Sequence, residues 1–579
     1  MDDEQRYTAA SSKDARFDGV FFVAVRTTGI YCRPSCPAMT PKRANVVFYR
    51  TAAAAQQGGF RACKRCRPDA SPGSPEWNVR SDAAGRAMRL IADGVVDRSG
   101  VEGLAARLGY STRQVGRLLT AEVGAAPLAL ARAQRARTAR ILIETTALPM
   151  GDIAFAAGFT SIRQFNATMH EVYDIPPRVL RERAARRDPA IRTGTRRARW
   201  PAALATEPPA VAGGEAPGAL RLRLPFRPPI DLSRMFCYLA ARALPGVESA
   251  SSGHYTRTIS LPNGSGIIAL RLVPGASWVD CSLALFDLRD VTAAVQRCRR
   301  LLDLDADPAS IAGFFECDPV IGPLAAACPG RRAVGAVDGN EIAIRAVLGQ
   351  QVSVAAARRL GARLVELCGG SHGPGADARS AEAGPGLARL DAAESGDQSL
   401  TRVFPDVAVI AALDPAVLPM PLSRARTVIT LAAALAGGYI SLDPGADRDD
   451  TAAQLLALPG IGAWTAGYIR MRALSDPDVF LPGDAGVVRA FAQLTGRVPG
   501  RNGDAKPVSQ ELAAAAERWH PWRSYAVHQL WATLEQPKPN KQPQPNPRVP
   551  PGLEGQPDAR LQPNPPGQSR PATAALAGR

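Results

Sequence analysis

Four cysteines near the N-terminus have the residue type and spacing of a metal site. Cys32 and Cys36 are separated by three residues, Cys63 and Cys66 by two, and 26 residues lie between the pairs. Each pair can present two thiolates to one side of a tetrahedral ion, and the two pairs together complete a closed four-thiolate site. The spacing by itself predicts a structural zinc site.

Cations surround these thiols and open a second interpretation. Arg33 follows the first cysteine, and Lys64, Arg65 and Arg67 flank the last two. Positive charge stabilises the thiolate, which is the nucleophilic form of cysteine, and it also attracts phosphate. From the residues alone, the cluster is either a structural zinc site or a reactive thiolate.

Two stretches, VRTTGIYCRPSC and FRACKRCRPD, resemble the zinc domain of the Ada family of methylphosphotriester-sensing regulators over about residues 15–70. The resemblance implies that all four cysteines hold Zn²⁺ and that Cys32 takes a methyl group irreversibly from a DNA phosphotriester. Zinc would keep Cys32 as a thiolate, and methylation would reduce the negative charge of the site and ease its approach to DNA. Met39 stands where the family can have an arginine, which leaves one expected phosphate contact without its usual residue.

A second candidate for chemistry is a single aspartate behind a glycine-rich turn. In the segment LPGIGAWTAGY, a turn between two helices would direct the N–H groups of Gly460 and Gly462 outward, where they can bind DNA phosphate. Asp484 lies 22 residues beyond Gly462 and follows a Pro-Gly pair at the start of a new helix. Glycine also serves ordinary helix turns, and an aspartate at a helix start can be an N-cap worth about 1 kcal/mol. The residues alone leave those structural interpretations open.

The hairpin, together with IRAVLGQQVSVAAARRL and ERWHPWRSYAVHQLW, resembles the AlkA-type glycosylases of the helix-hairpin-helix superfamily over about residues 221–535. The resemblance implies that Asp484 stabilises an oxocarbenium-like sugar, or activates water, as an alkylated base leaves. It further implies that Trp464, Tyr468 and Trp531 line a pocket in which rings stack on a cationic purine. For the two tryptophans, ordinary helix packing remains the alternative.

Several positions depart from the superfamily pattern. Gln351 stands at the position that wedges into the DNA stack, where an enterobacterial relative has leucine. Glutamine can fill the gap left by the flipped base but buries less apolar surface than leucine. Trp464 replaces the lysine of strand-cleaving members, so we expect no Schiff-base lyase activity. Gly483 replaces an acidic neighbour of Asp484, which predicts a narrower substrate range. Since no cysteine follows Cys368, we expect no iron–sulfur cluster.

Between the two sites the sequence is helical and repeats one pattern. Gly109 and Gly158, 49 residues apart, each follow a short helical stretch and precede a serine N-cap. One such pattern is often a simple helical hairpin, but two of them, joined by the basic helix ALARAQRARTARILIE, resemble the AraC-type DNA-binding domain over about residues 80–185. The residues expected to contact promoter DNA are Arg113, Gln114, Arg163 and Gln164.

The overall charge and the terminal segment limit the class of protein. A formal net charge of +17 over 579 residues favours a polyanionic partner. The polar N-terminus predicts neither a signal nor a transit peptide, and no apolar run is long enough for a membrane span. We therefore expect a bacterial cytoplasmic protein, in which clustered cysteines indicate metal binding or chemistry rather than disulfides.

The expected architecture is a multidomain α+β chain. The N-terminal half is predicted to hold a small four-cysteine zinc α/β domain (1–75), an all-α double helix-turn-helix (80–186) and a linker (187–220). An α+β domain of the AlkA N-terminal type (221–310) follows, with strands TRTISL, IIALRLV and WVDCSLAL. The rest is predicted to be an all-α helix-hairpin-helix glycosylase domain (311–535), with a disordered insertion at about 369–386, and a disordered Pro-rich tail (536–579).

The predicted function joins two activities on DNA. One is a monofunctional glycosylase that excises 3-methyladenine-type bases, and the other is a methylphosphotriester-sensing transcriptional regulator. The expected partners are double-stranded DNA with alkylated bases or phosphotriesters, promoter DNA and RNA polymerase. Two alternatives stay open: a glycosylase with a purely structural zinc domain, and a regulator whose glycosylase half only binds damage. No Pro-Cys-His-Arg motif occurs, so we expect no repair of O6-alkylguanine.

Overall fold

The computed structural model of the chain describes residues 1–68, 82–187, 220–251, 253–368, 400, 402–497 and 505–534. The predicted linker falls almost wholly outside the described residues, and the predicted insertion and tail lie outside them. None of the helices in these described ranges is long and apolar enough to cross a membrane.

The N-terminal part is a small sheet with two helices. Its elements are α1 (Asp3–Ser11), β1 (Phe22–Val25), β2 (Ile30–Cys32), β3 (Val46–Tyr49), α2 (Ala52–Gln57) and β4 (Arg61–Ala62). The strand order is β3-β1-β2-β4, and only the β2–β4 pair is parallel. Because parallel strands end at the same edge of a sheet, Cys32 at the end of β2 comes close to Cys63, which directly follows β4.

The next part is entirely helical within its described residues, as predicted. Its helices are α3 (Ala83–Ala92), α4 (Val95–Leu108), α5 (Thr112–Val123), α6 (Pro127–Thr145), α7 (Met150–Ala156), α8 (Ile162–Tyr173) and α9 (Pro177–Arg187). Gly109 ends α4 at φ +75° and Gly158 follows α7 at φ +86°, conformations that favour glycine. Ser111 and Ser161 then cap α5 and α8, so both predicted helix-turn-helix units are present.

An antiparallel five-stranded sheet follows, in the order β5-β9-β8-β7-β6. Its strands are β5 (Leu220–Pro225), β6 (Glu248–Ser251), β7 (His254–Leu261), β8 (Gly264–Arg271) and β9 (Trp278–Leu285), with α10 (Leu232–Ala240) and α11 (Val291–Leu301) beside them. Alternate residues of β9 are buried, which is typical of a strand with one face on a core. The three predicted strands are confirmed as β7, β8 and β9, whereas β5 and β6 are additional.

The rest of the described chain is helical and completes the predicted multidomain α+β fold. Its helices are α12 (Pro308–Phe315), α13 (Ile321–Ala327), α14 (Gly339–Leu348), α15 (Val354–Leu367), α16 (Val407–Ala411), α17 (Leu422–Ala436), α18 (Arg448–Leu456), α19 (Ala463–Ala473), α20 (Ala485–Leu494), α21 (Ala505–Arg518) and α22 (Arg523–Leu534). Helix α14 packs on α17 and α19, and α20 packs on α22. These two packings bring the glycine turn, Asp484 and Trp531 together.

The first helical part packs directly on the C-terminal helical part through α3. Arg89 Nε donates a hydrogen bond of 2.6 Å to the carbonyl of Pro444, and Arg86 pairs with Asp447 at 3.2 Å. Leu90 lies so close to Gly445 that a Cβ at that glycine would collide with it. The local sequence of α3 carries no signal that predicts this interface.

Candidate active site and metal centre

Asp484 lies at the start of α20 and both of its carboxylate oxygens accept hydrogen bonds. Oδ1 accepts from the Val487 backbone N–H at 2.8 Å, which is the N-cap bond of the helix. The Trp531 indole Nε1–H donates to Oδ1 at 3.0 Å, and the Trp464 indole Nε1–H donates to Oδ2 at 2.8 Å. The aspartate is thus an N-cap and also a carboxylate whose orientation is fixed from both sides.

Gly486 makes room for this arrangement, a role that the sequence analysis missed. A Cβ at this position would lie 3.0 Å from Asp484 Oδ1 and 3.3 Å from Trp531 Cδ1. Both contacts are closer than side chains normally tolerate. The glycine therefore allows the indole of Trp531 to approach the carboxylate.

The three aromatic residues predicted to form a base pocket lie together beside Asp484. The rings of Trp464 and Tyr468 are stacked, with centroids 5.3 Å apart and planes 12° apart. Tyr468 and Trp531 are 6.4 Å apart and tilted by 52°. All three side chains are half-buried, so their rings form a wall that is partly open to solvent. Such a wall can stack on a planar, electron-poor base.

A fixed positive charge lies behind this wall. Arg472 Nη1 donates to the hydroxyl oxygens of Tyr468 and Tyr238, each at 2.7 Å. Burial raises the pKa of Tyr468, but the charges of Arg472 and Arg242 and a hydrogen bond with Tyr238 together outweigh burial, and the net pKa is lowered. His528 packs edge-on against Trp531 at 5.2 Å, and burial holds its pKa well below the ordinary value. The imidazole is therefore neutral.

Glycine stands at the two positions of the hairpin turn for different structural reasons. Gly460 has φ +86°, and a Cβ there would collide with Thr427 Oγ1, so the fold itself requires glycine. Gly462 is the N-cap of α19 with an ordinary φ of −94°, and no atom lies within 4 Å of the position that its Cβ would take. The open space at the start of α19 leaves room for a ligand to approach its backbone N–H groups.

The turn between α14 and α15 carries Gln351 next to this hairpin. Gln351 is exposed and has φ +55°, which is uncommon for a residue with a side chain. Its neighbour Gln350 donates two hydrogen bonds through Nε2, to the Gly460 carbonyl and to Thr465 Oγ1, each at 2.9 Å. The predicted wedge residue and the predicted phosphate-binding turn are therefore adjacent.

The four N-terminal cysteines converge, with all of their sulfur atoms within 4.8 Å of one another. Tetrahedral zinc with Zn–S bonds of about 2.3 Å needs sulfurs about 3.8 Å apart, so the cluster fits this ion. A hydrogen bond with the Cys32 thiol lowers the pKa of Cys36. Cys32 is half-buried while the other three are buried.

Two of the predicted DNA-binding cations lie beside this cluster with different surroundings. Arg33 pairs with the buried Asp18 at 3.3 Å. Asp18 also accepts hydrogen bonds from the backbone N–H and the hydroxyl of Ser35, at 3.0 and 2.6 Å, and so fixes the loop between the first two cysteines. Arg65 is exposed.

The other cations near the cluster contact the helix-turn-helix part. Lys64 Nζ lies 3.4 Å from a carboxylate oxygen of Asp174, which also pairs with Arg61. Arg67 pairs with Glu144 on α6. The loop that carries the last two cysteines is thus held against the regulatory helices.

The four residues predicted to read promoter DNA are exposed in the first turns of α5 and α8: Arg113, Gln114, Arg163 and Gln164. Gln114 Oε1 accepts from the Ser111 backbone N–H at 2.9 Å, as part of a capping box. Gln164 Oε1 accepts from the Thr160 hydroxyl at 3.1 Å. Each glutamine thus has its amide oxygen engaged at the helix start, and its amide nitrogen is the group suited to donate to a base edge.

Three protein-family models match this chain. The metal-binding domain of Ada matches residues 5–69, a helix-turn-helix domain matches residues 104–183, and the AlkA N-terminal domain matches residues 221–338. The three matches follow one another in the order of the structural parts described above.

Curated relatives extend these matches to nearly the whole chain. A Mycobacterium tuberculosis protein named "Probable bifunctional transcriptional activator/DNA repair enzyme AlkA" is 50% identical over 536 residues, which cover 93% of this chain and 97% of that protein. The "DNA-3-methyladenine glycosylase 2" of Escherichia coli is 33% identical over 54% of this chain and 96% of its own length. The E. coli "Bifunctional transcriptional activator/DNA repair enzyme Ada" is 39% identical over 24% of this chain and 38% of its own length.

Proposed function

The chain belongs to the family of bifunctional transcriptional activator/DNA repair enzymes of the AlkA type, which join an Ada-type regulatory half to a glycosylase half, and we propose that Asp484 performs the excision. One observation carries this proposal. Both oxygens of the Asp484 carboxylate are held by indole N–H groups in the aromatic pocket, and along the chain a single helix, α19, separates Asp484 from the open glycine turn. A carboxylate held in a fixed orientation stabilises positive charge that develops on a sugar.

In the proposed reaction the damaged nucleotide leaves the helix and its base enters the aromatic pocket. A purine alkylated at N3 or N7 carries positive charge, so it stacks on Trp464 and Tyr468 and is a good leaving group. The glycosidic C–N bond breaks with its electron pair going to the base, and Asp484 stabilises the oxocarbenium-like sugar or activates the attacking water. The turn at Gly460 and Gly462 binds a phosphate and Gln351 fills the vacated space in the stack.

We infer that excision proceeds without strand cleavage. A lyase of this superfamily needs a lysine amine to form a Schiff base with the sugar. At the corresponding position Trp464 directs its indole N–H to Asp484 Oδ2. Borohydride trapping on DNA containing an abasic site tests this inference, and a covalent adduct would contradict it.

In the regulatory half, Cys32, Cys36, Cys63 and Cys66 hold zinc, and we propose that Cys32 is also the methyl acceptor. It is the half-buried member of the four. Its sulfur attacks the methyl carbon of a phosphotriester, an S–C bond forms, and the C–O bond breaks with its electron pair leaving on the phosphodiester. Bound zinc keeps the sulfur as a thiolate at neutral pH. Arg33 and Arg65 lie where they can attract the DNA backbone.

The same half is proposed to bind promoter DNA through α5 and α8. Arg113, Gln114, Arg163 and Gln164 lie in the first turns of these helices, which is where recognition helices contact base edges. An activator of this kind would also contact RNA polymerase. These assignments give individual residues of this chain the promoter contacts that its family membership implies.

Two measurements on the full-length protein test the proposal. Incubation with dimethyl sulfate-treated duplex DNA should release free 3-methyladenine, detected by chromatography. If the protein binds that DNA but releases no base, the glycosylase half only recognises damage.

The second measurement concerns the acceptor cysteine. After incubation with DNA that carries methylphosphotriesters, peptide mass analysis should find one methyl group on Cys32, and the variant Cys32→Ser should take up none. The exposed Cys237 provides the control, since Cys237→Ser should be methylated like the wild type. Methyl uptake by Cys32→Ser would favour a purely structural zinc site.

A further inference from the structure

Gln350 connects parts of the glycosylase that are far apart in the chain. It lies in the turn between α14 and α15, immediately before Gln351, and is half-buried. Its Nε2 donates to the Gly460 carbonyl in the hairpin turn and to Thr465 Oγ1 on α19, both at 2.9 Å. One side chain therefore joins the turn that carries the proposed wedge to the turn that is proposed to bind phosphate.

Both acceptors are themselves held in place. The fold fixes Gly460 against Thr427, whose hydroxyl donates to the neighbouring Pro459 carbonyl at 3.2 Å. Thr465 is buried and follows Trp464, the residue whose indole donates to Asp484. A displacement of the Gln350 amide would therefore change the position of the wedge turn relative to the carboxylate as well as to the hairpin.

The backbone of the wedge turn needs such a restraint. Gln351 has φ +55°, a left-handed conformation that a residue with a side chain adopts only when its surroundings impose it. The two hydrogen bonds of the preceding side chain supply a fixed point directly beside this conformation. Without them, the exposed Gln351 would be free to relax to a common backbone conformation.

We propose that Gln350 is a positioning residue that sets the spacing between the phosphate-binding turn and the wedge. It contacts neither the base nor the sugar. It holds Gln351 at a fixed distance from the phosphate that is bound at the glycine turn. This lowers the free energy needed to keep the target nucleotide out of the duplex. The proposal rests on the excision reaction proposed above and names a residue that acts in its base-flipping step.

The variant Gln350→Met separates this role from a general structural one, because methionine has a similar length and cannot donate. The substrate is a dimethyl sulfate-treated oligonucleotide with a single adenine, annealed to a strand that has either thymine or an abasic-site analogue opposite that adenine. Opposite the analogue the target base is unpaired, so flipping it costs less free energy and depends less on the wedge. Release of 3-methyladenine is measured under single-turnover conditions.

We expect Gln350→Met to slow release about tenfold opposite thymine, the size that follows from losing one or two neutral hydrogen bonds in the flipped state. Opposite the abasic analogue the rate should fall less than about threefold, and the melting temperature should fall by only a few degrees, since the same two hydrogen bonds are also lost from the free protein. Gln493→Met, at an exposed position on α20, is the matched control and should behave as the wild type in both duplexes.

Four outcomes are informative. A large loss opposite thymine alone supports the positioning role. An equal loss in both duplexes, or no loss in either, overturns it, because the first indicates a general structural defect and the second indicates that the contact is dispensable. If the wild type releases no base from either duplex, the proposed function fails, which is a distinct result.

Discussion

The indole Nε1–H of Trp531 donates a hydrogen bond of 3.0 Å to Asp484 Oδ1, from a helix that packs against the one that Asp484 caps. This bond gives Trp531 a second task beside its proposed stacking on a base. A phenylalanine at the same position keeps a ring in the pocket and removes only the donor, so the two tasks can be separated.

Trp531→Phe and Trp464→Phe should each lower kcat for base release about tenfold or more, because a hydrogen bond to a charged group is worth about 1.5–3 kcal/mol. KM should change little, since an aromatic ring remains for stacking. Trp278→Phe is the control, because its indole donates to Asp280 at 3.2 Å on the sheet and not at the active site. A rise in KM with unchanged kcat would show that the indoles only bind the base.

Gly486→Ala should lower activity without lowering stability. The added Cβ would lie 3.0 Å from Asp484 Oδ1 and would displace either the carboxylate or Trp531. Alanine in a helix is favoured over glycine by about 0.5–1 kcal/mol, which offsets the crowding. We expect kcat to fall while the melting temperature by calorimetry stays within a few degrees. A full-rate variant would mean that this close approach is not needed for catalysis.

His528 should make the stability depend on pH in the acid range. Burial holds its pKa well below normal in the folded protein, whereas in the unfolded chain it binds a proton near its ordinary pKa of about 6.5. Below that pH the unfolded state therefore carries one more proton, and the free energy of unfolding falls with decreasing pH by about 1.4 kcal/mol per pH unit. The contribution is fully present above pH of about 6.5 and is lost on acidification.

The variant His528→Gln should remove this dependence. Its melting temperature should change less than that of the wild type between pH of about 7 and pH of about 5. His170→Gln, at an exposed position, should follow the wild-type curve. Parallel curves for His528→Gln and the wild type would contradict the assignment of a neutral, buried imidazole.

Asp174 should hold the zinc part against the second helix-turn-helix unit. Asp174 is the C-cap of α8 and has φ +57°. The equivalent position of the first unit is Gly124, which is the C-cap of α5 and has φ +76°. A negative charge at a helix C-terminus is unfavourable, and its contacts with Arg61 and Lys64 offset this. Asp174→Gly should therefore keep the helix end but release β4 and the loop that carries Cys63 and Cys66.

Hydrogen–deuterium exchange of the zinc-loaded protein measures this effect. In Asp174→Gly, the peptides that contain β4 and the last turn of α8 should exchange faster than in the wild type, while α5 should not change. The melting temperature should stay the same, because exposed ion pairs contribute little to global stability. Unchanged exchange in β4 would show that Asp174 does not restrain the zinc part.

The parts of the site that could be predicted from the sequence are those encoded locally. Cys32, Cys36, Cys63 and Cys66 have a fixed spacing, and Gly460 lies at a turn position where the backbone has a positive φ. Such features need only a few neighbouring residues to specify their structure. The three strands β7, β8 and β9 were predicted for the same reason, because their alternation is visible in the sequence.

The contacts that depend on the packing of distant elements could not be predicted. Trp531 and Asp484 are 47 residues apart, and Gln350 and Gly460 are 110 residues apart. Neither pair has a signal in the local sequence, because the contact exists only after the helices have packed. The interface between Arg89 and the Pro444 carbonyl has the same origin, since their sequence separation is 355.

The most direct test of the central claim compares base release by the wild type and by Asp484→Asn on dimethyl sulfate-treated duplex DNA. Asparagine caps helices as well as aspartate does, and its single amide oxygen can keep the bonds from Val487 N–H and the Trp531 indole while the Trp464 indole loses its acceptor, so the fold and DNA affinity should be retained. Without the negative charge, release of 3-methyladenine should fall by about a hundredfold or more. Release at the wild-type rate by a folded, DNA-binding Asp484→Asn protein would contradict the assignment of Asp484 as the catalytic residue.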